Sequence, residues 1–92
     1  MTIAVAATSK STDSEISSQG GRAPFYLLLN EQGELLESIK NPFAVGGGGA
    51  GFGVAKMVAD KGADVIVAGK FGQKMCDALK TRGLRPIEMT GT

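Results

Sequence analysis

The sequence predicts a single α/β domain, residues 1–92, in which five strands form a mostly parallel sheet between two layers of helices. The length of 92 residues is enough for one modest hydrophobic core. In the second half of the chain, short apolar segments alternate with amphipathic segments. Such a β–α–β–α–β order requires right-handed crossovers and largely parallel strands, and it predicts a three-layer α/β/α sandwich.

The first predicted strand covers residues 2–8, where apolar side chains occupy both alternating faces. That pattern is typical of a central strand that is covered on both sides. Residues 9–21 are polar and end in glycine, which predicts a loop. Within this loop, residues 12–15 have the spacing of a capping box, so a short helical turn and an irregular polar loop are both open.

A β-hairpin follows the loop. Its predicted strands are residues 25–30 and 35–40, and Gly33 in the turn between them is available for a positive φ. Alternation of apolar and charged residues in the later strand indicates a half-exposed edge strand. Pro42 ends the hairpin because proline cannot donate to the ladder. The second strand is therefore expected to run antiparallel to its neighbours.

The second half of the chain is predicted to hold two helices and two strands. In order, these are a helix over 54–61, a strand over 64–68, a helix over 73–82 and a strand over 84–89. The helices are predicted to end at Gly62 and Gly83, because glycine is the preferred residue just past a helix C-terminus.

Composition excludes several classes of function. Ten basic and nine acidic residues give a net charge of +1 without a basic block, so nucleic-acid binding has no support. No apolar run reaches the roughly 18 residues that cross a bilayer. The chain has no histidine to activate a serine or threonine nucleophile, and we expect it not to be an enzyme. The single cysteine, Cys76, excludes an internal disulfide and predicts a reducing, cytoplasmic setting.

The most informative segment is residues 45–53, VGGGGAGFG, in which six of nine residues are glycine. A ligand can lie against bare glycine backbone, and a helix that begins just afterwards directs N–H groups and partial positive charge at an anion. In a parallel sheet this segment meets the loops after the first and fourth strands and the segment entering the second strand. The only carboxylates expected at this edge are Asp13 and Glu15. The sequence therefore predicts an anion-binding edge, and its candidate ligand-binding residues are Ser9, Lys10, Arg22, Gly46, Gly47, Gly48, Gly49, Gly51, Lys70 and Gly72.

Two familiar glycine motifs do not fit. The spacing from Gly46 to Gly51 matches the dinucleotide fingerprint by letter, but residues 41–44 separate it from the preceding strand, and no acidic residue ends the next strand. A phosphate P-loop requires lysine and then serine or threonine, whereas Val54 follows the last glycine.

Cys76 is the candidate metal ligand, because the first turns of a helix favour a thiolate. The alternative is that it is a small buried residue on the inward face of the second helix.

Several segments together resemble the dinitrogenase iron–molybdenum cofactor-binding family. They are IAVAAT at 3–8, GRAPFYLLL at 21–29, the IKNPFA and GGGAG pattern within 39–51, VIVAGKFG at 65–72 and ALKTRGLRPIEMTGT at 78–92. The resemblance implies a ribonuclease H-like α/β/α fold with strand order 3-2-1-4-5. It also implies a non-enzymatic role in holding or carrying an anionic iron–molybdenum or other metal–sulfur cluster or its precursor, with metallocofactor assembly proteins as partners.

The chain departs from the family at three places. Residues 19–21 replace the histidine and phenylalanine that often precede GRA, and residues 73–75 replace the usual Pro-Asn-Ala. Members commonly continue beyond the TGT segment into a further helix, which this chain is expected to lack. An uncovered sheet face would favour a homodimer or a partner. Two other functions stay open: a phosphate- or nucleotide-binding regulatory module at the same edge, and a ligand-free interaction domain.

Overall fold

The computed structural model describes residues 1–9, 15–17, 20, 23–42 and 50–89. Its elements are β1 (Ile3–Ala7), β2 (Phe25–Leu29), β3 (Leu35–Lys40), α1 (Ala50–Asp60), β4 (Val65–Ala68), α2 (Gln73–Thr81) and β5 (Arg85–Glu88). The sheet order is β3-β2-β1-β4-β5. β2 is antiparallel to both neighbours, and β1, β4 and β5 are parallel. The mixed α/β sheet, its order and the antiparallel second strand are therefore confirmed.

Helix α1 begins at Ala50, four residues before the predicted start at Val54. The low helix propensity of glycine indicates a loop over Gly51 to Gly53, yet these residues form the first turn of the helix. Val54 and Val58 have no exposed surface, and packing of this kind stabilises a helix more than propensity does. The other elements begin and end within one residue of the predicted limits.

Both helices end in the same hydrogen-bonded turn. After α1, the amide of Ala63 donates to Val58 O at 3.1 Å, and Gly62 has φ +83°. After α2, the amide of Leu84 donates to Leu79 O at 2.9 Å. These are Schellman motifs, which confirm the predicted helix ends at the two glycines and lead the chain directly into the next strand.

The core lies between one face of the sheet and both helices. A single buried cluster contains Ala4 and Ala6 of β1, Val54 of α1 and Leu79 of α2. The two crossovers, β3 to β4 and β4 to β5, step in the same direction along the sheet. Right-handed crossovers that step in the same direction put their helices on the same face. A three-layer sandwich also needs a helix on the other face of the sheet, and the described ranges contain none there.

Strand β3 lies at the edge of the sheet, as predicted, but it is more exposed than a half-buried strand. Leu35 and Leu36 are 44% and 57% exposed, and Ile39 alone in the strand is half-buried. The carboxylate of Glu37 on this strand accepts a hydrogen bond at 2.9 Å from Nζ of Lys61, the residue that follows α1. None of the helices in the described part of the chain is long and apolar enough to cross a membrane.

Candidate functional site

The carboxyl ends of β1 and β4 and the start of β2 lie at one edge of the sheet. The register pairs Ala7 at the end of β1 with Phe25 at the start of β2. Because β4 runs parallel to β1 on the other side, its last residue, Ala68, reaches the same edge. β1 is therefore flanked by β2 and β4, and the predicted topological switch point is present.

Residues 15–17 fill the gap that opens between β1 and β4 at this edge. Ile16 forms an antiparallel bridge with Ala7. The amide of Ser17 donates to Ala6 O at 2.8 Å, and Ser17 O accepts from the amide of Gly69 at 2.8 Å. The polar loop after β1 thus returns to the sheet and joins the β1 end to the turn after β4.

Gly20 fastens the segment that enters β2 to the same turn. Its amide donates to Lys70 O at 3.0 Å, and its carbonyl oxygen accepts from the Tyr26 hydroxyl. A Cβ at this position would lie 2.8 Å from the Phe71 ring and 3.1 Å from Met75 Sδ. Only glycine fits here without displacing its neighbours, because real Cβ atoms do not approach so closely.

The Tyr26 side chain is fully buried beneath this contact. Burial raises the pKa of its hydroxyl well above the ordinary value, because the phenolate would lose its hydration. Tyr26 is therefore a neutral donor to Gly20 at any physiological pH.

A carboxylate that the sequence analysis did not place at this edge lies beside the same turn. Glu88 Oε2 accepts from the amide of Phe71 at 3.1 Å. The register aligns Glu88 with Ala68 at the ends of the parallel strands β5 and β4. The expectation that Asp13 and Glu15 are the only carboxylates here was wrong, because β5 also delivers its last side chain to the carboxyl edge.

Helix α2 begins at this turn with little capping of its own. Gly72 is the N-cap and provides no side-chain hydrogen bond, and its carbonyl oxygen accepts from the amide of Cys76 at 2.9 Å. The first turn of α2 contains no acidic residue. A helix start of this kind carries partial positive charge. Lys70, which is exposed, lies two residues before the N-cap.

The structure positions some of the predicted ligand-binding residues and not others. Ser9 follows β1, and Lys70 and Gly72 flank Phe71 at the same edge. Gly51 lies in the first turn of α1. The remaining members of the predicted set lie outside the described residues; they are Lys10, Arg22, Gly46, Gly47, Gly48 and Gly49. The assignment of these residues to a binding site stays a prediction.

Cys76 is half-buried and packs against the core cluster, which agrees with a small inward-facing residue. Within the described ranges, no three histidine, cysteine, aspartate or glutamate side chains come together as ligands for a metal ion.

Among the described residues of this edge, sequence reasoning missed the roles of Gly20 and Glu88. The sequence contains the two aromatic residues that contact Gly20, one in β2 and the other, Phe71, in the turn after β4. It contains no other indication of the role of Gly20. Nothing local linked Gly20 with Phe71, because Phe71 lies 51 positions further along the chain.

The sheet order and the loops gathered at its carboxyl edge define an α/β domain of the type that binds ligands where parallel strands end. The chain belongs to the dinitrogenase iron–molybdenum cofactor family, whose model matches residues 1–92. The resemblance of the sequence segments to that family is thereby confirmed. No curated protein matches the chain.

Solved structures of similar proteins share the fold. The apo form of the orange protein (ORP) from Desulfovibrio gigas has a TM-score of 0.85 and 28% identity, over 92% of this chain and 72% of that one. An NMR structure of TM1290, described as a candidate NifB protein from Thermotoga of the DUF35 family, has a TM-score of 0.82 and 25% identity, over 99% and 78%. The crystal structure of PH0822, at 18% identity and a TM-score of 0.81 over 99% and 81%, shows likeness of fold alone.

Proposed function

We propose that the protein binds and carries an anionic iron–sulfur or molybdenum–sulfur cluster, or a precursor of one, as an accessory of metallocofactor assembly in the cytoplasm. Membership of the iron–molybdenum cofactor family supports a binding or carrier role. The absence of histidine from the sequence supports binding rather than catalysis. Its partners are the proteins that donate and receive the cluster.

The observation that supports this function best is the joining of three loops at one edge. Ser17 binds Gly69, and Gly20 binds Lys70, so the loop after β1 and the approach to β2 are both tied to the turn before α2. Arg22 follows Gly20 by two residues in the sequence, and in this proposal it supplies a second cation to the edge beside Lys70. A rigid rim with cationic side chains favours a ligand of several negative charges.

We propose that charge and hydrogen bonds hold the ligand on the protein. The chain has one thiol, Cys76, and it is half-buried against the core. A single cysteine cannot supply the several thiolates that bind an iron–sulfur cluster in proteins that retain it permanently. Weaker binding suits a carrier, which must release its cargo to the next protein.

A titration with tetrathiomolybdate, followed by visible absorption, tests the proposed function. In the double variant Arg22→Ala and Lys70→Ala we expect the dissociation constant to rise about tenfold or more, equivalent to about 1.4 kcal/mol. The matched control is Lys80→Ala with Arg85→Ala, which removes the same two kinds of charge from the last turn of α2 and the start of β5. The control is expected to change the constant by less than about twofold.

Equal binding by both double variants would show that this edge is not the site. No binding of tetrathiomolybdate by the wild-type protein, combined with a rise of the melting temperature by nucleotides, would favour the regulatory module instead. A Cys76→Ser variant separates ligation from charge, because loss of binding in that variant alone would identify the thiol as a ligand.

A further inference from the structure

The face of the sheet opposite α1 and α2, which we call the outer face, is apolar along its central strands. On β1, Ile3 and Val5 belong to this face and alternate with Ala4 and Ala6, which lie in the core cluster beneath the helices. Aligned residues of neighbouring strands direct their side chains to the same face. The register therefore adds six apolar side chains to the outer face, and these are Phe25, Leu27, Leu29, Val65, Val67 and Ile87.

The outer face is partly accessible to solvent at its centre. Ile3 and Val5 are half-buried although they lie on the central strand, whereas the two alanines that alternate with them have no exposed surface. Leu27 and Val67, on either side of Val5, are buried, so the accessible surface follows β1 itself. Beside the hairpin turn, Leu35 aligns with this face and is 44% exposed. Continuous apolar surface of this kind marks an interaction site on a soluble protein.

The charged side chains of the strands are divided between the two faces. The register places Lys40, at the end of β3, and Arg85, at the start of β5, on the outer face. It places Glu37 and Glu88, the carboxylates of the described strands, on the face that the helices cover. Lys40 and Arg85 are exposed, and neither forms an ion pair in the part of the chain that the structure describes. The outer face thus has an apolar centre and a cation at each of two opposite corners.

We propose that the outer face is a docking surface for an amphipathic helix of a partner protein, with an apolar stripe that packs along β1 and carboxylates on both borders of the stripe. Helices are the elements that cover a sheet whose strands are apolar on both faces. A helix of about 11 residues matches the length of the five-residue strand β1. A second copy of this chain is disfavoured, because its outer face carries the same two cations and no strand carboxylate.

The test uses two labelled synthetic helices as probes. One has leucines along a single stripe and glutamates on both borders, and the other has lysines in place of the glutamates. Fluorescence anisotropy measures the binding of each peptide to the wild type and to the double variant Lys40→Glu with Arg85→Glu. The matched control is Lys74→Glu with Lys80→Glu, which reverses two exposed charges on α2, on the covered side of the sheet.

We expect the wild type to bind the glutamate peptide about tenfold more tightly than the lysine peptide. The double variant at Lys40 and Arg85 is expected to reverse this preference, and the control is expected to keep it. In NMR spectra of the wild type, the methyl signals of Ile3, Val5 and Leu29 are expected to shift most. Failure of the wild type to bind the glutamate peptide, the same preference in both double variants, or shifts confined to α2 would each overturn the inference.

Sedimentation equilibrium of the protein alone tests whether a second copy occupies the outer face instead. We expect a monomer at concentrations up to about 1 mM. A dimer that dissociates in Leu36→Lys would assign the face to a second copy and overturn the proposal. Leu36 is 57% exposed, so this variant is expected to keep the fold, which circular dichroism checks. These measurements use no anionic ligand, so their outcome is independent of the proposed function.

Discussion

The Tyr26 hydroxyl donates to the carbonyl oxygen of Gly20, so the second strand binds the segment through which the chain enters it. The backbone amide of Gly20 donates to Lys70 O. One glycine therefore connects the interior of the sheet with the turn before α2. Any ligand that uses this edge depends on that connection for the spacing of the loops.

Replacement of Gly20 by alanine is expected to destabilise the protein by about 1–3 kcal/mol, the range for overpacking a close-packed core. The added methyl group would lie 2.8 Å from the Phe71 ring, which cannot move without disturbing the turn. Denaturant unfolding measures the change. The control is Gly72→Ala, where a Cβ meets no atom within 4 Å and φ is −71°, and where the loss is expected to stay below about 1 kcal/mol. Equal losses in the two variants would contradict the packing role of Gly20.

Replacement of Tyr26 by phenylalanine is expected to cost about 1–3 kcal/mol, because the buried carbonyl of Gly20 loses its donor. The ring and its packing stay the same, so the effect reports the hydroxyl alone. An unchanged free energy of unfolding would show that water replaces the donor.

The burial of Tyr26 also leads us to predict that the stability of the protein falls at alkaline pH. Its folded pKa is raised by burial, so its contribution to stability is complete below the unfolded pKa of about 10 and falls as the pH rises above that value. Tyr26 is the only tyrosine in the chain, so phenolate absorption reports its ionisation without interference. We expect phenolate to form together with unfolding in the wild type, and Tyr26→Phe to lose less stability across this range. Ionisation of Tyr26 well before unfolding would contradict the prediction.

Asn41 is expected to hold the entrance of β2 against the end of β3. Its side-chain amide donates to Ala23 O at 2.8 Å, its backbone amide donates to Pro24 O at 2.9 Å, and the residue is 3% exposed. Asn41→Ala removes the buried donor, and we expect a loss of about 1–3 kcal/mol in denaturant unfolding. The exposed amide of Gln32 provides the control, since Gln32→Ala is expected to change stability by less than about 0.5 kcal/mol. A small effect at Asn41 would show that the entrance is held by the backbone bond alone.

The pKa of the Asp60 carboxyl provides a test of the electrostatics of α1. Lys56 donates to Asp60 Oδ2 at 2.7 Å, and this hydrogen bond and charge hold the pKa of the Asp60 carboxyl below its ordinary value. The stabilisation is present above the unfolded pKa and is lost as the pH falls through the folded pKa. Lys56→Gln is expected to raise the Asp60 pKa towards the ordinary value in an NMR titration. Arg82→Gln, which removes a weaker interaction, is expected to raise it less, and the reverse order would contradict the assignment.

Most of the fold could be predicted from local patterns, and the parts that could not depend on the arrangement of the strands. Short apolar runs, and in β3 the alternation of apolar with charged residues, located the strands, and Gly62 and Gly83 located the helix ends. The shared face of α1 and α2 follows from the direction of both crossovers, which is clear only when the sheet order is applied to each of them. The start of α1 at Ala50 is not indicated by propensity, because Gly51 and Gly53 disfavour a helix.

The sequence predicts which edge of the sheet holds the candidate site, but it does not predict the contacts that join the loops there. Parallel strands explain why the loops after β1 and β4 meet, and Lys70 and Gly72 lie where the sequence predicts. Gly20 and Glu88 have no local signature, since each acts through a residue distant in the chain. Glu88 in particular has the sequence environment of an ordinary exposed residue at a strand end.

The loop between Thr8 and Glu15 is closed at its base, where the Thr8 amide donates to Glu15 O at 3.1 Å and Ile16 pairs with Ala7. Lengthening a loop that is already closed costs little, about 0.6 kcal/mol for each doubling of its length. An insertion of a few residues between Thr8 and Glu15 is therefore expected to leave the pairing of Ala7 with Ile16, and with it the register of β1, intact.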